Sequence, residues 1–177
     1  QGSNTVTLID TTTNTVVDTI VVGTCPFGIV VNPATNRAYV ANTLSNTVSV
    51  IDTSTNSLFD IDSVTGGVQS SIVVNEFPDT VEVNPDTNRA YVTNEDDYMV
   101  SVIDTTTNKV IGGISVGEGP IDSSVNPVTN RLYVANFGDS TVSVIDTTTN
   151  KVIDTISVGA EPFSVEVVPV TNRAYVT

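Results

Sequence analysis

The chain has 177 residues, 39% of them hydrophobic and only 15% charged, with 20 acidic against 6 basic side chains and a formal charge of −14. That balance excludes a nucleic-acid surface, which needs a Lys/Arg footprint to displace phosphate counterions, and it repels an anionic membrane. A single cysteine and no histidine exclude an internal disulfide, a Ser-His or Cys-His nucleophile pair and the familiar zinc sites.

In chain order, residues 4–22 carry two strand patterns separated by the turn Asp10-Thr11-Thr12-Thr13-Asn14. Cys25 follows, a small residue in a loop beside Pro26. Four strand candidates come next: Phe27–Asn32, Arg37–Ala41, Thr47–Asp52 and, after an insertion, Val68–Val74. Thr, Val and Ile dominate them, and β-branched side chains suit a pleated surface. Asn32-Pro33-Ala34-Thr35-Asn36 is a turn in which Pro presets φ and Asn tolerates a left-handed backbone. The pattern then repeats: Thr-Asn-Arg recurs with arginines at 37, 89, 131 and 173, at intervals of 52, 42 and 42 residues. Ile-Asp keeps the same beat at Ile9-Asp10, Ile51-Asp52, Ile103-Asp104 and Ile145-Asp146.

Four-stranded antiparallel units at a period near 40 residues are propeller blades. The expected fold is an all-β propeller of four blades in a single domain, 1–177. Three blades are continuous, at about 25–74, 77–117 and 119–159. The fourth joins strands 1–2 from residues 161–177 to strands 3–4 from residues 4–22, which closes the ring and removes its open edges. The same half-blades could instead pair between neighbouring molecules. The first interval is longer by 10 residues. A hairpin that projects further than its siblings accounts for the insertion; a contact site is the sharper reading, with Leu58, Phe59, Ile61 and Val64 where the other blades carry only Thr and Asn.

Tyr-Val-Ala/Thr-Asn after Asn-Arg, then Val-Ser-Val-Ile-Asp-Thr-Thr-Thr-Asn-Lys-Val-Ile, resembles the YVTN β-propeller repeat family over essentially the whole chain. That family is associated with surface-layer and other exported proteins of archaea and bacteria. The resemblance implies a propeller, an extracellular or cell-surface location, and a scaffold or binding role. The chain opens on Gln1 rather than Met, in keeping with a leader removed on export.

Every arginine occupies one repeat position, and both lysines, Lys109 and Lys151, follow the Thr-Thr-Thr-Asn turn. Pairing with Asp10, Asp52, Asp104 and Asp146 is the expected use of these cations. The opposite face collects Glu76, Asp79, Glu95, Asp96, Asp97, Glu118, Asp139 and Glu161, with no cation among them. Glu95, Asp96 and Asp97 are therefore interaction candidates beside the insertion. On the innermost strands Glu82, Asp122 and Glu166 converge on the central channel and form a candidate cation site, for which Ca²⁺ is the fitting ion. Glu82 with Glu166 is the single acid/base pair available, and with no tryptophan for sugar stacking no catalytic activity is expected. No cofactor is required by any motif. The expected function is a structural or adhesive module that self-assembles into a layer or filament with copies of itself, calcium assisting. The alternative is a monomeric module holding a glycan, small ligand or protein on the acidic face.

Overall fold

The computed structural model describes residues 2–61 and 70–177. Strands β1 (Thr5–Asp10) and β2 (Thr15–Val21) form a hairpin of their own. Strands β3 (Pro26–Asn32), β4 (Arg37–Asn42) and β5 (Thr47–Asp52) begin the first full sheet. Two short strands complete it, β6 (Ser57–Leu58) and β7 (Ser71–Val73), both paired to β5. The second sheet holds β8 (Pro78–Asn84), β9 (Arg89–Asn94), β10 (Met99–Asp104) and β11 (Lys109–Ser115). The third holds β12 (Pro120–Asn126), β13 (Arg131–Asn136), β14 (Thr141–Asp146) and β15 (Lys151–Ser157). Strands β16 (Val165–Val168) and β17 (Arg173–Val176) form a last hairpin. The single helical turn among the described residues is Thr43–Ser45, so no described helix is long and apolar enough to cross a membrane.

The turn chemistry explains the regularity. Asn14, Asn56, Asn108 and Asn150 close the Asp-Thr-Thr-Thr-type turns with φ of 54° to 55°, and Asn36, Asn88, Asn130 and Asn172 close the others at 52°. Asparagine accepts this left-handed backbone at lower cost than other non-glycine residues. At the head of the turn an aspartate holds the loop. The Oδ1 of Asp104 accepts from the backbone N–H of Thr106 at 2.9 Å and of Thr107 at 3.0 Å. Its Oδ2 accepts from Arg89 Nη1 at 3.0 Å, and the same ion pair recurs as Arg37–Asp52 at 3.1 Å and Arg131–Asp146 at 3.0 Å.

Consecutive sheets stack face on face, and the core lies between them. One cluster joins Tyr39, Val50 and Ile72 of the first full sheet to Val81, Val92 and Ile103 of the second. Another joins Tyr91, Val100 and Ile114 to Val125, Leu132 and Ile145. A middle sheet is covered on both sides, so β5, β10 and β14 read as Val-Ser-Val-Ile runs rather than strict alternation. At the inner edge, β3, β8, β12 and β16 lie side by side. The approach of β3 to β8 is so close that a Cβ on Gly28 would stand 2.6 Å from the carbonyl oxygen of Asp79. Glycine is needed there for lack of room, which is why this blade has no inner side chain at that position.

Buried polar groups then register one blade on the next. Tyr39 donates its hydroxyl to Asn108 Oδ1 at 2.9 Å, and Tyr91 donates to Asn150 Oδ1 at 2.9 Å and to the Thr147 carbonyl at 3.1 Å. Asn84 donates to Asn130 Oδ1 and Thr147 Oγ1 at 2.9 and 2.8 Å.

The all-β fold with antiparallel four-stranded blades is as expected, but two details differ. First, β1–β2 and β16–β17 are separate two-stranded sheets, and no ladder joins them into a fourth blade. Each hairpin buries one face (Ile20, Val165) and leaves the other open: Ile9 is 60% and Tyr175 60% exposed, where Ile103 and Tyr91 are fully covered. Second, the insertion does not lengthen the strand 3–4 hairpin. It interrupts strand 4 between β6 and β7, and residues 62–69, including Val64, lie outside the described residues. Leu58, Phe59 and Ile61 are half-buried and pack against the chain's own core, with the Arg37 guanidinium 3.7 Å from the Phe59 ring centroid.

Removing the buried hydroxyl in Tyr39→Phe or Tyr91→Phe is expected to lower the unfolding free energy by about 1–2 kcal/mol, because the neighbouring turn loses a donor. Tyr175→Phe, on an open surface, should change it by less than about 0.5 kcal/mol. Urea denaturation of the three variants measures the contrast.

Candidate functional site

Each inner strand opens at a proline: Pro26, Pro78, Pro120 and a fourth, Pro162, just ahead of β16. The residue after it is Phe27, Asp79, Ile121 or Phe163, and the next is Thr80, Asp122 or Ser164 in the last three copies. These side chains converge with Glu95 and Phe137, from the loops after strand 2, on one cavity of about 470 Å³. That volume is in the range of small-molecule pockets. The strand register makes the convergence unavoidable. Stacked blades bring the same end of every inner strand to the same place.

The electrostatics are one-sided. Asp79 is 8% exposed, and its carboxyl is pushed up to about 7 by burial first, then by the charge of Glu95, a hydrogen bond with that residue, and Asp96. On the inner strand below, Glu82 is also pushed up to about 7, by burial and then by Glu166 and Asp122. At the turn end the sign reverses. Asp146 is lowered to about 2 by the Thr148 hydroxyl, the Thr149 N–H and further donors.

The structure brings Glu82 within electrostatic reach of Glu166 and Asp122, but among the described residues no group of three or more side chains is placed to hold a metal. Asp122 is committed elsewhere: its Oδ2 accepts from Ser164 Oγ at 2.7 Å and from the Val165 N–H at 2.9 Å, stapling β12 to β16. Of the acidic interaction candidates, Glu95 lines the cavity. Asp97 instead fixes a loop by accepting from the Glu76 N–H at 2.7 Å, as Asp139 does from Glu118 at 2.7 Å. Asp96 lies beside Asp79, and its charge helps raise that carboxyl.

Sequence reasoning missed the apolar half of the cavity, Phe27, Ile121, Phe137 and Phe163. The signal was present in the repeat itself. Positions where the copies agree (the arginine, the tyrosine, the turn asparagines) hold the frame, and the position after the proline, where they read Phe, Asp, Ile and Phe, lines the cavity.

Stacked four-stranded antiparallel sheets around adjacent inner strands define a β-propeller-like protein with an acidic, aromatic-lined pocket at the loop end. No family model and no curated protein matches the chain. Among solved structures, Kuenenia stuttgartiensis hydrazine synthase is similar at 24% identity and a TM-score of 0.77, over 92% of this chain and 45% of that one. Apo AztD from Citrobacter koseri is similar at 18% identity and a TM-score of 0.60, over 78% of this chain and 36% of that one. The chain thus spans less than half the length of either, and the likeness is one of fold.

Between the ordinary carboxyl range and about pH 7, the folded chain holds protons on Asp79 and Glu82 that the unfolded chain has released. Stability is therefore expected to fall as pH rises through that window and to level off above it. Each unit of displacement is about 1.4 kcal/mol, so the midpoint of thermal unfolding should be higher at pH 5 than at pH 8 by several °C, at about 2–4 °C per kcal/mol. The double variant Asp79→Asn, Glu82→Gln should flatten the profile, as read by scanning calorimetry across pH.

Proposed function

We propose that this chain is a binding module of the cell exterior that holds a small ligand on its acidic face, in the pocket at the ends of the inner strands. The observation that carries this reading is the cavity of about 470 Å³, walled by residues from successive blades at the positions where the repeats differ. The blade frame supplies rigidity, and the loop end supplies the chemistry. Resemblance to the YVTN repeats supports the exterior location. A thermal-shift screen of a small-molecule panel tests the reading. Binders should raise the unfolding temperature of the native chain, by about 2.7 kcal/mol of added stability at 100-fold excess over Kd. The same compounds should lose that effect in Ile121→Trp, which fills the cavity. A panel without a binder, or binders indifferent to Ile121→Trp, overturns it.

A second reading, self-assembly of copies into a layer or filament with Ca²⁺ assisting, is favoured by one observation. Among the described residues Asp10 on β1 and Arg173 on β17 lack the ion pair that the other three repeats form. A copy's β1 laid against β17 in the register of β4 on β5 would set Arg173 opposite Asp10. Light scattering with and without Ca²⁺ separates the cases. A single species near 18.6 kDa counts against assembly. Multiples that disperse in Arg173→Glu and return in Arg173→Glu mixed with Asp10→Arg favour it.

A further inference from the structure

The proposed binding site has a chemistry specific enough to name its ligand class. We infer that the pocket takes a small organic cation, an alkyl- or arylammonium group seated against Phe27, Phe137 and Phe163 with its charge toward Asp79 and Glu95. This rests on the binding-module reading and deepens it.

Three observations narrow the choice. The rings come from three different parts of the chain, and two are poorly covered: Phe27 is 66% and Phe163 65% exposed. Phenyl rings around a cavity offer their faces to a ligand, and a ring face attracts an ammonium group by its quadrupole. Next, the ionisable groups lining the cavity are all carboxyls, Asp79, Glu95 and Asp122. The arginines of the three full sheets are held at the opposite, turn end by Asp52, Asp104 and Asp146. An anionic ligand meets only repulsion here.

Charge separates a cation from a neutral sugar. The polar lining is rich in acceptors and poor in donors: Ser164 donates its hydroxyl to Asp122 at 2.7 Å, and Thr80 Oγ1 is 3.1 Å from Thr93 Oγ1. A ligand that brings a positive charge offsets the carboxylates' charge, which a neutral sugar does not do although its hydroxyls can donate to them. A bare metal fits less well, because no described group of three carboxyls is close enough to enclose one. Asp79 and Glu95 lie together on one side of a cavity wide enough for a molecule.

Ionisation links occupancy to pH. The groups facing Asp79 are Glu95 and Asp96, with Asp122 on the same cavity wall. Affinity for a permanent cation should therefore rise as pH passes upward through about 7, where Asp79 gives up its proton.

The test uses the full chain at fixed ionic strength and pH 8, with binding followed by NMR titration. The cationic probes are choline, phenethylammonium and the amide of Nα-acetyl-lysine; the uncharged probe is 3,3-dimethylbutan-1-ol, the carbon isostere of choline. At least one ammonium probe is expected to perturb the resonances of the cavity, and choline to bind about tenfold tighter than its isostere. Phe163→Ala, at an exposed position that leaves the core intact, and Asp79→Asn should each weaken binding by about tenfold. Preference for the lysine amide over the small amines would assign the ammonium group to a protein side chain. Equal binding of choline and its isostere, or loss of all ammonium binding while an uncharged panel compound still occupies the cavity, overturns the cation chemistry and leaves the module standing. Absence of binding by compounds of every class overturns both.

Discussion

A tyrosine hydroxyl buried between two sheets must find an acceptor, and that requirement sets how each blade sits on the next. Tyr39 and Tyr91 are fully covered, and each reaches the asparagine that closes the following blade's outer turn. The acceptor is in place only because that asparagine adopts a left-handed backbone, and it does so only because an aspartate at the turn's start holds the loop. The arginine on the neighbouring strand then pairs with the free oxygen of the same aspartate. Four residue types per repeat thus form one chain of dependence, and all of it lies at one end of the blades. Unsatisfied groups at that end would carry the full desolvation cost of a buried polar atom.

This explains what the sequence disclosed and what it withheld. Thr47–Asp52 is the strand read from the pattern, and Arg37–Ala41 falls one residue short of the observed end. Those elements are written by local rules, turn residues and β-branched runs, repeated in phase. Three ion pairs were legible for the same reason, since Arg and Asp recur at a fixed distance in the chain, but among the described residues Lys109 and Lys151, like Arg173, form none. Ring closure was not, because strand pairing between residues 161–177 and 4–22 is a non-local event that no local pattern specifies. The insertion was legible only as extra length, because position in the chain does not show that Phe59 and Ile61 pack against the core.

The pocket was half legible. Its carboxylates stood out as a block without cations, whereas the phenylalanines looked like ordinary apolar residues at strand starts. Only the stacking of blades shows that Phe27, Ile121 and Phe163 meet. Their company has an energetic consequence: Asp79 and Glu82 are held in surroundings that disfavour their charged forms. The frame around them tolerates this local cost.

The proline at the head of each inner strand carries one last implication. It presets the backbone just before the residue that faces the cavity, so that residue can change identity without disturbing the strand behind it. Phe, Asp and Ile already occupy the position on equivalent backbones within a single molecule. The architecture therefore separates two vocabularies, an invariant one that folds and a free one that lines the cavity. A new cavity lining in such a scaffold requires rewriting only a letter or two per blade.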